Sequence, residues 1–206
     1  MIRAKHSIWL QFFFKIYLRF LFRKHFHKIE TVGKVKDQGL PVIVIANHIS
    51  WWDGFWISRL NQKTFNRKLY IMMLEEFLRK HMFFRKLGVF SIRKKSKGTN
   101  ESLQYAAEVL QNNKNMLLMF PQGEIRSQHS DVILFEKGLD HILTKVNNPI
   151  QILMVANVLD YFSKPKPTLR QYISSPEKTR NFTCKELQDI YNTFYKESID
   201  RQKLLV

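Results

Sequence analysis

The sequence predicts an α/β fold, in which helices flank a mostly parallel central sheet. Short apolar runs recur along the chain, and most are followed by a longer polar or amphipathic stretch that suits a helix. The chain has 206 residues, of which 45% are hydrophobic, so it can form one domain with a sizeable core. We predict a single domain over residues 31–206, preceded by an amphipathic, membrane-associating helix within residues 1–30.

The first predicted element is a helix over residues 7–22, where most side chains are apolar or aromatic. The polar exceptions are spaced four residues apart and form one narrow stripe on a helix: Gln11, Lys15, Arg19 and Arg23. This pattern predicts a helix lying in a membrane interface, with Lys15 and Arg19 reaching the headgroups. Two alternatives stay open, a helix docked on the domain and a transmembrane span. A span needs about 20 mostly apolar residues, and this stretch is more interrupted.

The next predicted strand leads directly to a candidate functional residue. Residues 41–46 are apolar, rich in β-branched side chains and opened by a proline, which predicts a buried parallel strand. Residues 51–60 follow as a predicted helix, so His48 lies where a strand ends and a helix begins. Ligands of open α/β sheets bind at the carboxyl ends of strands. His48 is therefore the first candidate site residue.

The remaining elements continue the alternation of strand and helix. Further apolar runs predict strands, with a short one near 29–35 and the last one expected at the sheet edge: 69–74, 88–93, 115–120, 149–156 and 169–174. Helices are predicted at 75–87, 99–111, 135–146 and 183–203. In the first of these helices, at least two of Phe77, Phe83 and Phe84 are expected to pack in the core.

Charge and aromatic content narrow the class of partner. Lysine and arginine number 34 against 17 aspartate and glutamate, giving a formal charge of +17 that favours a polyanionic partner. The 17 phenylalanines, many beside basic residues near the N-terminus, suit a membrane interface. Proteins that bind single-stranded nucleic acid also use basic and aromatic residues together. This sequence, however, has no RNP-type motif, zinc-finger spacing or basic heptad array. We predict an anionic membrane surface as partner, and no nucleic acid.

Cysteine content limits the covalent and metal chemistry. Cys184 is the only cysteine, so the chain forms neither an intrachain disulfide nor a metal site with four thiolate ligands. A reducing cytosolic setting fits this composition. We predict no bound metal.

His48 and Asp53 form the candidate catalytic pair. Histidine takes up a proton readily near neutral pH, and as a general base it needs a partner that fixes its tautomer and stabilises the imidazolium. Asp53, five residues further on, can serve as that partner. The segment also fits a capping box, with Ser50 as N-cap and Asp53 at N3 of the helix. The residues alone leave both interpretations open.

The segment around His48 resembles the first motif, N-H-x-S-x-x-D, of the PlsC-like glycerolipid acyltransferases. Four residues match this motif: Asn47, His48, Ser50 and Asp53. The resemblance implies that His48 and Asp53 are catalytic, and that Asn47 and Ser50 contribute to substrate binding.

The end of the predicted strand 88–93 is similar to the second motif of that family. In that family, the arginine of this motif is assigned the role of binding the phosphate of the acceptor. Arg93 occupies the corresponding position in this sequence. A guanidinium suits phosphate because its fork binds two oxygens at once. The lysines that follow are expected in a solvated loop: Lys94, Lys95 and Lys97.

The segment Phe120-Pro121-Gln122-Gly123-Glu124-Ile125-Arg126-Ser127 resembles the third motif, F-P-E-G-T-R-S. Gln122 stands where the family has glutamate, and Glu124 stands at the usual threonine. Either a one-residue insertion realigns Arg126 with the family arginine, or Glu124 supplies the displaced carboxylate. The resemblance implies substrate-binding roles for four residues: Gln122, Gly123, Glu124 and Arg126. A plain strand-to-helix turn is the simpler alternative.

Taken together, the resemblance implies acyl transfer in membrane lipid biosynthesis. The donor is acyl-CoA or an acyl carrier protein thioester, used as co-substrate with no bound cofactor, and the acceptor is the hydroxyl of a lysophospholipid of the 1-acylglycerol-3-phosphate type. The expected location is peripheral, or monotopic, on the cytoplasmic face of the inner membrane. Two alternatives stay open: the same chemistry on an aminolipid or glycolipid, and a non-catalytic basic protein that binds membrane or nucleic acid.

Overall fold

The computed structural model describes residues 1–93 and 97–205. Its described strands are β1 (Lys28–Val32), β2 (Val42–Ala46), β3 (Lys68–Leu74), β4 (Val89–Ile92), β5 (Asn115–Met119), β6 (Gln151–Asp160) and β7 (Thr168–Ser174). They form one sheet in the order β1-β7-β6-β2-β5-β3-β4. All neighbouring strands in it are parallel except β6 and β7, which are antiparallel. The predicted α/β class with a mostly parallel sheet is confirmed.

Helices cover both faces of this sheet. They are α1 (Ile8–His25), α2 (Asp53–Thr64), α3 (Glu75–Lys80), α4 (Lys97–Val109), α5 (Gly138–Leu143) and α6 (Cys184–Lys203), with a 3-10 helix at Met82–Lys86. One face packs against α2, and the opposite face packs against α4, α5 and α6. Thr183 caps α6 with a complete capping box.

β2 occupies the centre of the core because both of its faces are apolar. Val42 and Val44 pack in the cluster that contains the α2 residue Leu60. Ile43 and Ile45 point to the other face and pack with α4, α5 and α6. All five side chains of β2 are fully buried. The residue that follows this strand therefore starts from a rigid position at the carboxyl edge of the sheet.

α1 docks on the domain along one side only. Leu18 and Phe22 are buried against Trp56 of α2 and Leu169 of β7. The other side leaves seven large apolar or aromatic side chains more than half exposed: Ile8, Trp9, Phe12, Phe13, Ile16, Tyr17 and Phe20. Within the described residues, no helix has both the length and the apolar character needed to cross a membrane.

The residues before α1 lie along the outer edge of the sheet. Ile2 exchanges hydrogen bonds with Ser91 of β4, and His6 forms an isolated antiparallel bridge with Leu87. Residues 1–30 thus contact the sheet at β4 as well as α2, and they include the first residues of β1. The division of the chain at residue 30 stays a prediction.

Four expectations about individual elements were wrong. Residues 75–87 do not form one helix, because His81 has a non-helical backbone and a 3-10 turn follows it. Phe77 and Phe83 are 56% and 44% exposed and do not belong to the core; Phe83 instead contacts Phe14 of α1. β7 is not an edge strand, because β1 pairs with its outer side. Of the three lysines expected in a loop, Lys97 is instead the first residue of α4, and Lys94 and Lys95 lie outside the described part of the chain.

Candidate active site

Asn47 fixes the end of β2 against β6. Its Nδ2 donates to the backbone oxygen of Asn157 at 2.9 Å, and its Oδ1 accepts from the Asn157 N–H at 2.7 Å. The amide therefore continues the strand pairing by one position with a side chain. Asn47 is fully buried, and its pairing with Asn157 fixes the backbone from which His48 follows. Its role in substrate binding stays a prediction.

His48 and Asp53 are joined by a short hydrogen bond. The Nδ1–H of His48 donates to Oδ2 of Asp53 at 2.7 Å, and the same oxygen accepts from the backbone N–H groups of Ile49 and Ser50 at 2.8 and 2.9 Å. The Asp53 side chain is fully buried, while that of His48 is 22% exposed. Because a carboxylate only accepts, this contact assigns the proton to Nδ1 and leaves Nε2 as the basic nitrogen.

The alternative role of Ser50 as a helix cap is not what the structure shows. α2 begins at Asp53, its N-cap position is Trp52, and no side chain caps it. The Ser50 hydroxyl accepts from the Trp52 N–H at 3.2 Å and so stabilises the preceding turn. Asp53 therefore binds the turn amides and the imidazole with one oxygen, which serves folding and tautomer selection together.

Burial sets the electrostatics of Asp53. Removal from water raises the pKa of Asp53, and the hydrogen bond from His48 and the two turn amides oppose this rise. Its second oxygen, Oδ1, is buried without a hydrogen-bond partner among the described residues. A buried carboxylate that holds the imidazole in one tautomer is the partner that a general base needs during turnover.

The segment that directly follows β5 holds the imidazole ring and the backbone of His48. Phe120 stacks on the His48 ring with centroids 4.1 Å apart and an interplanar angle of 10°. The Oε1 of Gln122 accepts from the His48 N–H at 2.6 Å, and the Arg126 N–H donates to the His48 backbone oxygen at 2.8 Å. Gly123 makes this turn possible, because its φ of 69° lies in the left-handed region. The third motif therefore fixes His48 from the neighbouring strand.

The altered residues of this motif have distinct positions. Gln122 is buried, its oxygen is bound by His48, and its Nε2 has no partner among the described residues. Arg126 donates to the Glu124 carboxylate at 2.5 Å, and both of these side chains are more than half exposed. The two residues on which the alternative alignments depend thus form one surface ion pair. Their roles in substrate binding stay predictions.

Among the described residues, Arg93 pairs with Glu75, which also pairs with Arg79; neither Glu75 nor Arg79 was predicted from the sequence as a site residue. The Nε and one terminal nitrogen of Arg93 donate to both carboxylate oxygens of Glu75, at 2.8 and 2.7 Å. Arg79 donates twice to the same carboxylate, at 2.9 and 2.7 Å. Glu75 directly follows β3 and Arg79 follows it by one helical turn, so their place at the end of a parallel strand was the available signal. These three side chains together carry a net charge of +1.

Glu75 gives the protein a testable dependence of stability on pH. The hydrogen bonds from Arg93 lower the pKa of Glu75 from its ordinary 4.5 to about 2. Ionised Glu75 therefore stabilises the fold above pH 4.5, and this contribution is lost as the pH falls toward 2. We expect urea unfolding to show a smaller loss of stability over this range in Glu75→Gln than in the wild type. Glu76→Gln, at an exposed neighbouring position, is the control and should behave like the wild type; equal slopes in all three proteins would contradict the role of Glu75.

The loop after the third motif is held by side-chain amides from distant elements. Gln128 exchanges two hydrogen bonds with the backbone of Leu159, both at 2.9 Å. Asn192 of α6 accepts from the Ile133 N–H at 2.7 Å and donates back to its oxygen at 3.1 Å. The sequence pattern of α6 predicts a helix but gives no sign of these long-range contacts. They fix a loop that contains little regular structure.

The fold and the site together define an α/β protein with a buried aspartate bound to a partly exposed histidine at the carboxyl end of its central strand. A family model described as Acyltransferase matches residues 23–156. This match covers more than half of the chain, and the protein belongs to that family of PlsC-like acyltransferases. No curated protein matches the sequence.

Proposed function

We propose that this protein transfers a fatty acyl group from acyl-CoA or an acyl carrier protein to the hydroxyl of a lysophospholipid at a membrane surface. The observation that carries the proposal is the buried Asp53 carboxylate bound to Nδ1 of a partly exposed His48. Membership of the acyltransferase family supports the same chemistry in general terms. The donor, the acceptor and a place in membrane lipid synthesis are the proposed details.

The reaction needs one base and one site for an oxyanion. The acceptor hydroxyl attacks the thioester carbonyl carbon while Nε2 of His48 takes its proton, and Asp53 stabilises the imidazolium. The tetrahedral intermediate then expels the thiolate, which takes the proton back from His48 and leaves as a free thiol. The Nε2 of Gln122 and the backbone amides of its loop are the candidate donors to the oxyanion.

The exposed face of α1 favours attachment at a membrane interface. Trp9 and Phe13 are 77% and 63% exposed, and a patch of such rings on a strongly basic protein suits lipid headgroups. Phe14 on the same helix contacts Phe55 of α2, which in turn contacts the exposed ring of Trp51. Trp51 lies three residues after His48. The aromatic surface therefore continues from α1 to the candidate site, and a lipid acceptor can approach along it. The cytoplasmic face of the inner membrane remains the proposed location.

Vesicle binding tests this role of α1 without deleting the helix, which also packs on Trp56. We expect the triple substitution Trp9→Ser, Phe13→Ser and Phe20→Ser to reduce sedimentation with anionic vesicles by tenfold or more, because about 1.5–3 kcal/mol is lost for each large apolar side chain no longer buried. The unfolding temperature should change little, since all three rings are exposed. The control is Leu134→Ser with Leu204→Ser, which removes exposed apolar side chains elsewhere. Unchanged sedimentation of the triple variant would place the membrane contact on another surface.

The acceptor phosphate is proposed to bind at Arg93 and its neighbour Arg79. β4 lies three strands from β2 in the sheet, so about 14 Å separates the two strand axes and the long arginine side chain must extend toward His48. The pairing of Arg93 with Glu75 also favours a second candidate, an uncharged or aminolipid acceptor that needs no guanidinium. One substitution distinguishes the two candidate acceptors.

Arg93→Lys separates these acceptors. A lysine cannot reproduce the bidentate fork, so for lysophosphatidate we expect the KM of the acceptor to rise about ten- to a hundredfold, the equivalent of ~1.5–3 kcal/mol. The KM of the donor should change less. Arg201→Lys, an exposed position at the end of α6, is the matched control. If lysophosphatidate is a poor substrate of the wild type and an uncharged monoacyl acceptor is used equally well by both proteins, the non-phosphate acceptor is correct.

A further inference from the structure

A second cluster of positive charge lies away from His48, in a cavity between α1, β1 and α2. The cavity has a volume of about 480 Å³, which is within the range of small-ligand sites of roughly 300–1,000 Å³. Six lysine and arginine side chains line it: Lys15, Arg19, Arg23, Lys28, Arg59 and Lys63. No acidic residue lines the cavity in the part of the chain that the structure describes.

The positive charge of this cavity is poorly compensated by the protein. Lys28 is paired with Glu30, and none of the other five cations forms an ion pair with a described carboxylate. Arg59 donates through Nη2 to the Ile29 backbone oxygen at 3.2 Å, while its Nη1 is buried without a partner among the described residues. A buried guanidinium nitrogen without an acceptor is costly unless a ligand supplies one.

The like charges also act on one another. The positive charge of Arg59, with a smaller effect of burial, lowers the pKa of Lys63 one turn further along α2. An anion between these two side chains would relieve that repulsion.

The cavity is distinct from the catalytic pair. Arg59 lies six residues after Asp53 on α2, which is about 9 Å along the helix axis. Phe26, which lines the cavity, contacts Trp52 and Trp56 with ring centroids 5.3 and 5.7 Å apart. This aromatic wall separates the cations from His48.

We propose that this cavity is a binding site for a phosphate group, with Arg59, whose Nη1 is buried, as the anchor and Lys63, Arg19 and Arg23 around it. Guanidinium and ammonium groups without carboxylate partners are the donors that phosphate oxygens require. The group belongs either to the headgroup of an anionic lipid, which the position beside α1 favours, or to a soluble phosphorylated compound. The site does not depend on the catalytic role of His48.

The test compares two pairs of substitutions that remove the same charge. Arg59→Met with Lys63→Gln lowers the formal charge of +17 by two, and so does Lys114→Gln with Lys196→Gln at exposed positions. Binding is measured by calorimetry with inorganic pyrophosphate, and by sedimentation with phosphatidylcholine vesicles that contain phosphatidate. We expect the cavity pair to lose about tenfold or more in affinity and the control pair to remain close to the wild type.

The outcomes identify the source of the phosphate or remove the proposal. A loss confined to the vesicles supports a lipid headgroup, and a loss with pyrophosphate supports a soluble compound. Equal behaviour of the two pairs with both probes would overturn the site and leave only general charge attraction. Should Arg59→Met fail to fold, Lys63→Gln and Lys196→Gln are compared alone. In that comparison, Lys63→Gln should bind more weakly yet unfold at a higher temperature at low salt, because it relieves the repulsion from Arg59.

Discussion

His48→Ala is expected to lower kcat/KM for acyl transfer by at least about 10²–10⁴, the usual contribution of a positioned general base. No other described side chain stands at the end of β2 with one ring nitrogen bound to a buried carboxylate. The alanine removes the base and leaves the two turn amides on Asp53 in place. We therefore expect the protein to stay folded, with a small change in unfolding temperature from the loss of the Phe120 stack.

The matched control for this substitution is His81→Ala, at an exposed position after α3. It removes a histidine that has no contact with the candidate pair, and its kcat/KM should equal that of the wild type. Near-normal turnover of His48→Ala in the same assay would show that the proposed mechanism is wrong.

Asp53→Asn is expected to have the second largest effect, a loss of kcat that approaches the ~10⁴ seen when the aspartate of a serine protease triad is changed in this way. An amide can donate to Nδ1 of His48, which would move the imidazole proton to Nε2 and remove the basic lone pair that faces the acceptor. The substitution also removes a buried carboxylate, and burial raises the pKa of this Asp53 group and so disfavours its charged form. The stability of the fold should therefore fall little, while activity falls strongly.

A purely structural role for Asp53 predicts the opposite pattern. Loss of its contacts to the turn amides of Ile49 and Ser50 would then lower the unfolding temperature and leave kcat almost unchanged below it. The double variant with His48→Ala gives a further distinction. If His48 and Asp53 act as one unit, the kcat of the double variant should be no lower than that of the slower single variant, because effects within such a unit are not additive.

Much of the fold was predictable because its signals are local. Residues 42–46 are apolar on both faces, and this alone indicates a central parallel strand. The placement of His48 after that strand followed directly. The short strand predicted near 29–35 is present as β1, but its pairing with β7 is not encoded nearby, and this is why β7 was wrongly expected at the edge.

The functions of individual polar residues were harder to predict, because their partners are remote in sequence. Asn47 pairs with Asn157, 110 residues away, and nothing near Asn47 indicates a role in strand pairing. Arg93 follows its partner Glu75 by 18 residues. Lys15 and Arg19 of the polar stripe of α1 line a cavity against β1 and α2, which the sequence pattern did not indicate. Periodicity shows that a stripe exists and cannot show which surface it faces.

The most direct test of the proposed mechanism is a thin-layer assay of radiolabelled acyl transfer over a panel of lyso-lipids. Wild type and His48→Ala are each supplied with labelled acyl-CoA and, separately, with labelled acyl-acyl-carrier-protein. We predict a labelled two-chain lipid from the wild type with at least one donor, almost none from His48→Ala, and no label on the denatured protein, because the hydroxyl attacks the thioester directly. Equal product from both proteins, or label retained on the protein as a covalent acyl group, would contradict His48 as the general base of a direct transfer.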